Sequence, residues 1–151
     1  RFLNVSQRVL QRAYQKLLQL IPKTVFFPGP LEIHPDHRAS AMLTWAALQK
    51  AKTQHIHPVP ISYEIGVQNP INLLVDTTEQ CAEKKEIMAI YQSQNKENNY
   101  PELVLSLDKG RTFSLPPEVE FAEGFFQYHT DDLERSFRDV TFSTIDLYLK
   151  N

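Results

Sequence analysis

Apolar side chains recur at helical spacing between residues 4 and 21, where Val5, Val9, Leu10, Ala13, Tyr14, Leu17, Leu18 and Ile21 fall three or four positions apart. Ser6 is placed to cap the first turn and Pro22 to stop the last, so the pattern predicts an amphipathic helix. The next apolar run, TVFF at residues 24–27, is short, β-prone and closed by Pro28, Gly29 and Pro30. That combination predicts a buried strand ending in a loop. A second helix is predicted from Pro35 to Lys52, with Ala39, Met42, Leu43, Ala46 and Ala47 on one face.

Further on, HIHPVPISYEI at residues 55–65 reads as extended, and Asn69-Pro70 turns the chain into INLLVD at 71–76, a candidate neighbouring strand. Thr77 and Gln80 have the spacing of a capping box and open a predicted helix to about Gln94, with Cys81, Lys84, Met88 and Tyr91 on one stripe. QSQNKENN, residues 92–99, is expected as an exposed loop. Pro101 starts another helix through Leu107, and Pro116-Pro117 break the chain before the aromatic-rich FAEGFFQYH. Thr130 is expected to cap a last helix whose first turn is acidic. Helices alternating with short buried strands predict an α/β fold with a Rossmann-like, largely parallel sheet flanked by helices, in which ligands sit at the carboxyl ends of strands. With no repeat and no long linker, residues 1–151 read as a single domain, 127–151 being a C-terminal extension.

A chain of 151 residues is long enough to bury roughly two thirds of its unfolded surface around one core. Its 16 basic and 18 acidic residues are interspersed and leave a net charge of -2, so no electrostatic footprint for nucleic acid or an anionic membrane is present and a small neutral substrate fits better. The single cysteine, Cys81, cannot make an intrachain disulfide, and no apolar run is long enough for a membrane span. A cytoplasmic setting is the expectation. The chain begins at Arg1 on a helix-like segment, which leads to the expectation that further sequence precedes it.

HPDH, residues 34–37, stands where a strand's carboxyl end feeds a helix. In the plain structural reading Pro35 opens the helix, Asp36 favours its dipole and the histidines are ordinary loop residues. In the other reading His34 and His37, one turn apart, face one cavity and bind metal, histidine and carboxylate being zinc ligand types. Two histidines and Asp36 make only half of such a site, because catalytic zinc usually takes three protein ligands and a water. His55 and His57 alternate as on one face of a strand, and a solvent-facing pair is their plainer reading. Cys81 reads as a small core residue, and Lys84 and Gln94 as helix-end packing and capping groups. HTDDLE, residues 129–134, has the letters of a metal motif but follows no apolar strand.

HPDHRA, followed by Lys84 with the YQSQ of residues 91–94 and then by the FAEGF of residues 121–125, resembles the PIG-L/LmbE family of zinc-dependent N-deacetylases. The motifs occur in the family's order over roughly residues 1 to 126, HPDH being the most specific. The resemblance implies a Rossmann-like sheet carrying zinc, or another divalent metal, and hydrolysis of the N-acetyl group of an N-acetylglucosamine derivative or related small amide. It implies that His37 is a zinc ligand, that His34 stabilises the tetrahedral oxyanion or protonates the leaving amine, and that Asp36 orients a histidine. Glu123 is a candidate substrate contact or an anchor of its aromatic segment. The family's His-Pro-Asp-Asp-type motif, which carries the other two ligands and the general base, has no counterpart in residues 1–33, which contain no histidine and only Asn4 and Glu32 among Asn, Asp and Glu side chains. The expectation is a partial LmbE-like domain, inactive alone, whose partners are an N-acetyl sugar, the missing N-terminal segment of the same protein and further copies in a homo-oligomer. Two alternatives stay open: a non-catalytic binding domain derived from that fold, and an unrelated metal hydrolase using His34 and His37 with His129, Asp131 and Asp132.

Overall fold

The computed structural model describes residues 6–149. They fall into two units, the first made by the described residues up to Asn72 together with those from Phe125, the second by Leu73–Gly124.

In the first unit the opening helix, α1, spans Gln7–Leu20. The Ser6 hydroxyl accepts the Val9 N–H, as its spacing predicts, and Ile21 ends the helix in a left-handed conformation at φ 43° while donating its N–H to the Leu17 carbonyl. The predicted start at residues 4 and 5 lies outside the described residues. Strand β1 (Thr24–Pro28) and helix α2 (Pro35–Lys52) keep the predicted positions. Strand β2 (Val59–Tyr63) lies parallel to β1, Thr24 opposite Val59 and Pro28 opposite Tyr63. Strand β4 (Ala122–Gln127) starts in the second unit and pairs antiparallel with β2 in the first, Ile61 opposite Gln127. Helix α6 (Phe137–Leu149) closes the unit.

Its core is aromatic. Phe27 stacks on Tyr128 at 5.7 Å between ring centroids, and Trp45 meets Tyr128 edge-on at 5.2 Å, with Leu48, Leu133 and Val140 filling the space around them. Of the predicted face of α2, Ala47 is buried, Ala39, Leu43 and Ala46 are half-buried and Met42 is exposed, so the face is corrected in part. Ala41, Trp45 and Leu48 turn inward, Ala47 and Ala51 pack on Tyr14 of α1, and Met42 is left 55% exposed. Burying the indole decides the rotation of the helix, because no other residue of α2 removes as much apolar area from water.

The C-terminal expectation is also corrected. HTDDLE folds as a short 3-10 turn over Thr130–Glu134, separate from α6, and is pinned to α2 by long-range bonds. Trp45 Nε1 donates to the Arg135 carbonyl, Gln49 Nε2 donates to the carbonyls of Leu133 and Arg135, and Lys52 binds the Glu134 carboxylate. Thr130 therefore does not cap the last helix. The Ser136 hydroxyl takes the Asp139 N–H instead.

In the second unit strand β3 (Leu73–Asp76) is followed by α3 (Cys81–Ala89), α4 (Gln92–Glu97) and α5 (Tyr100–Gly110). The strand order is β1-β2-β4-β3, so β3 is not the neighbour of β2 that consecutive runs suggested; β4, from much later in the chain, takes that place. The predicted capping box does not form. Gln80 makes no side-chain cap bond, and the Asp76 carboxylate instead bonds Thr78, whose hydroxyl first and backbone N–H second hold its carboxyl below the usual carboxylate range. The Thr78 hydroxyl accepts the N–H groups of Glu120 and Phe121. QSQNKE is helix rather than loop, because the Tyr91 carbonyl accepts from Gln94 and Asn95 and the Asn95 amide returns to the Met88 carbonyl. Among the described residues no helix is long and apolar enough to cross a membrane.

Candidate functional site

Parallel pairing sets the carboxyl ends of β1 and β2 side by side, Gly29 N–H donating to the Tyr63 carbonyl at 2.8 Å. The loops that leave those ends are tied together by one buried carboxylate. Glu32, 1% exposed, accepts N–H groups from Ile65 at 2.9 Å and Gly66 at 3.1 Å, with a longer contact from Val67 at 3.4 Å. Successive amides converging on a carboxylate replace the water that burial removes from it. Asn69 fastens the same loops: its Nδ2 donates to the Val67 carbonyl at 2.9 Å, its Oδ1 accepts from Leu31 N–H at 3.4 Å, and its own N–H donates to Glu64 Oε1 at 2.7 Å.

On this base sits the HPDH turn. His34 is the N-cap of α2, its Nδ1 accepting the Asp36 N–H at 3.2 Å, while Pro35 lends its fixed φ to the first turn and Asp36 adds negative charge there. The Asp36 carboxylate lies 4.0 Å from His34 Nδ1 with both side chains more than half exposed, a loose pair worth little in water. His37, one turn on and half-buried, sets its Nδ1 3.2 Å from Glu32 Oε2. The rings of His34 and His37 are 4.8 Å apart and tilted by 38°. Thus His34, Asp36 and His37 come together at a strand's carboxyl end. The sequence reading did not give Glu32 a role, although an acidic residue inside the apolar stretch PLEI, five positions before the second histidine, is the signal that points to it.

Among the described residues no group of three His, Cys, Asp or Glu side chains comes together that would hold a metal ion. His129, Asp131 and Asp132 accordingly do not complete a metal site with His34 and His37, and that alternative is corrected. His129 and Asp132 serve the 3-10 turn, where the His129 N–H donates to Asp132 Oδ2. His55 and His57 are not on a strand face; they lie exposed in the loop before β2, with His55 at φ 58° and the rings 6.5 Å apart. Cys81 is half-buried on α3, outside both hydrophobic clusters.

In the second unit Glu123 is ion-paired with Lys84, whose Nζ also lies 2.5 Å from Asp108 Oδ2. Asp108 is 2% exposed and has Arg111 3.5 Å from its other oxygen. Burial lowers the affinity of the Lys84 ammonium for its proton, and the bonds to Asp108 and Glu123 more than restore it, leaving the group above its ordinary value. Lys84 is therefore the centre of a charge network rather than a helix-end packing group. A lysine on an otherwise apolar stripe, between Cys81 and Met88, is the pattern that asks for a carboxylate partner. Gln94 is exposed on α4.

No family model matches the chain, and no curated protein matches it. Solved structures do. A conserved protein of Thermus thermophilus superposes with a TM-score of 0.71 at 21% identity, covering 83% of this chain and 60% of its own. An N,N'-diacetylchitobiose deacetylase from Pyrococcus horikoshii superposes with a TM-score of 0.64 at 20% identity, covering 91% of this chain and 58% of its own. The α/β fold is therefore one that this chain shares with both structures, and the chain spans 60% and 58% of their lengths.

Proposed function

We propose that this chain is part of a metal-dependent PIG-L/LmbE-like N-deacetylase, a cytoplasmic hydrolase acting on the N-acetyl group of an N-acetylglucosamine derivative or related small amide. What supports the reading is the pair of histidine rings 4.8 Å apart at the carboxyl end of β1, on a fold shared with a diacetylchitobiose deacetylase. In an open α/β sheet that is where small substrates bind. His34, at the mouth of α2, is the group to hold the oxyanion of a tetrahedral intermediate or to protonate the departing amine, with Asp36 beside it. Zinc, or another divalent cation, belongs to the proposal as cofactor, with His37 as one ligand. Three protein ligands are usual for a catalytic zinc, and the described residues do not assemble them, so the remaining ligands and the general base have to come from beyond those residues. The same incomplete donor set favours the second reading, a binding domain that recognises an N-acetyl sugar without hydrolysing it.

The test is acetate release from N-acetylglucosamine and N,N'-diacetylchitobiose by the complete protein, alongside its His34→Ala variant. Turnover that falls on the order of a hundredfold in the variant supports the deacetylase, as for loss of one oxyanion donor. Saturable sugar binding without acetate release supports the binding domain, and neither activity removes both readings.

A further inference from the structure

We propose that Glu32 is a positioning residue that locks His37 in the Nδ1–H tautomer, while the turn at Pro35 locks His34 in the opposite one, so that neighbouring rings present one bare nitrogen and one N–H. This rests on the deacetylase reading only for its purpose; the geometry stands without it. A neutral imidazole carries its hydrogen on one nitrogen and a lone pair on the other. At His34 the Asp36 backbone N–H, which can only donate, points at Nδ1 at 3.2 Å, so Nδ1 is the acceptor and Nε2 bears the hydrogen. At His37 the partner of Nδ1 is Glu32 Oε2 at 3.2 Å, and a carboxylate only accepts, so Nδ1 bears the hydrogen and Nε2 keeps its lone pair.

Glu32 is built to hold that role. Its side chain is fully enclosed, and its oxygens are fixed by Ile65, Gly66 and Val67 on the loop after β2, so it has little freedom to swing away from His37. A carboxylate held by backbone on one side and facing a histidine on the other is a common way to orient an imidazole whose second nitrogen binds an electrophile. The two neighbouring rings thereby divide the work expected of them. His37 offers a lone pair, which suits a metal ligand, and His34 offers an N–H, which suits an oxyanion or a leaving amine. Two chemically identical residues, 4.8 Å apart, are made different by a backbone amide and a carboxylate.

The experiment is a long-range 1H–15N correlation spectrum of the protein with ring-labelled histidine, without added metal, with the pH raised until the ring signals stop moving, so that the neutral tautomers are read directly. Signals are assigned by their loss in His34→Gln and His37→Asn. Wild-type His37 is expected to show the Nδ1–H pattern and His34 the Nε2–H pattern. In Glu32→Gln the amide oxygen stays with the loop amides and the NH2 turns to His37, so its tautomer is expected to invert while His34 keeps its own. A wild-type His37 in the Nε2–H form overturns the proposal, as does a folded Glu32→Gln protein with His37 unchanged. If that variant does not fold, the wild-type pattern alone decides. Absence of acetate release would count against the deacetylase reading and would leave this spectrum to be read independently.

Discussion

The side-chain amide of Asn69 stands in the space that a Cβ on residue 29 would need, with Cγ 2.7 Å and Oδ1 2.9 Å from that position. Gly29 is thus required by close approach and not by an unusual φ. Because Asn69 bonds both to Leu31 and to Val67, pushing it aside loosens the loop that carries Glu32 and the loop that holds it. Gly29→Ala is expected to cost about 1–3 kcal/mol in denaturant unfolding, in the range of overpacking. A Gly29→Ala, Asn69→Ala double variant should recover part of the loss. Simple additivity of the two changes would show that they do not act through this contact.

Tyr128 supplies a pH dependence. Burial pushes its hydroxyl up to about 12, opposed by the hydrogen bond with Ser62 and aided by the nearby charge of Asp132. The folded protein therefore keeps a proton that the unfolded chain gives up near 10, so the stability is fully present below about pH 10 and is lost as the pH rises through about 12, roughly 3 kcal/mol at the limit. Urea unfolding near pH 9 and near pH 11 should show a steeper loss in wild type than in Tyr128→Phe, which keeps the stack on Phe27 and has nothing to ionise. Equal slopes would mean that another group drives the alkaline loss.

Removing the charge of Lys84 leaves Asp108 enclosed with Arg111 as its remaining ion-pair partner among the described residues, which is the costly way to break a buried pair. Lys84→Met is expected to destabilise by about 3 kcal/mol. The ammonium is held above its ordinary value, so its contribution is intact below the unfolded lysine range and fades as the pH rises through the folded value. Amide exchange in α3 and α5 is the measurement, with faster exchange expected in both helices. Unchanged protection would show that the network contributes nothing net.

The elements that could be read from sequence are those whose signals are local. Ser6, Pro28 and Pro35 mark where α1, β1 and α2 begin or end, and the structure agrees to within a residue or two. What escaped was decided by distant partners. The rotation of α2 follows from Tyr128 and Val140 gathering around Trp45, the break between α3 and α4 from Asn95 returning to Met88, and the place of β4 between β2 and β3 from pairing across some sixty residues. At the site the same division holds. HPDH was legible because cap, turn and ring spacing lie within four residues, whereas the cradle around Glu32 is made by amides 33 to 35 positions away, which no local spacing encodes.

If His34 and His37 differ in what they offer, as proposed, metal content separates them most directly. Zinc per chain should be measured by elemental analysis in the complete protein after purification from zinc-supplemented medium, for wild type, His34→Ala and His37→Ala. If His37 is the ligand, its variant loses the metal, and His34→Ala retains it while acetate release falls on the order of a hundredfold. Equal loss in both variants, or loss in His34→Ala alone, would contradict the assignment of the two histidines.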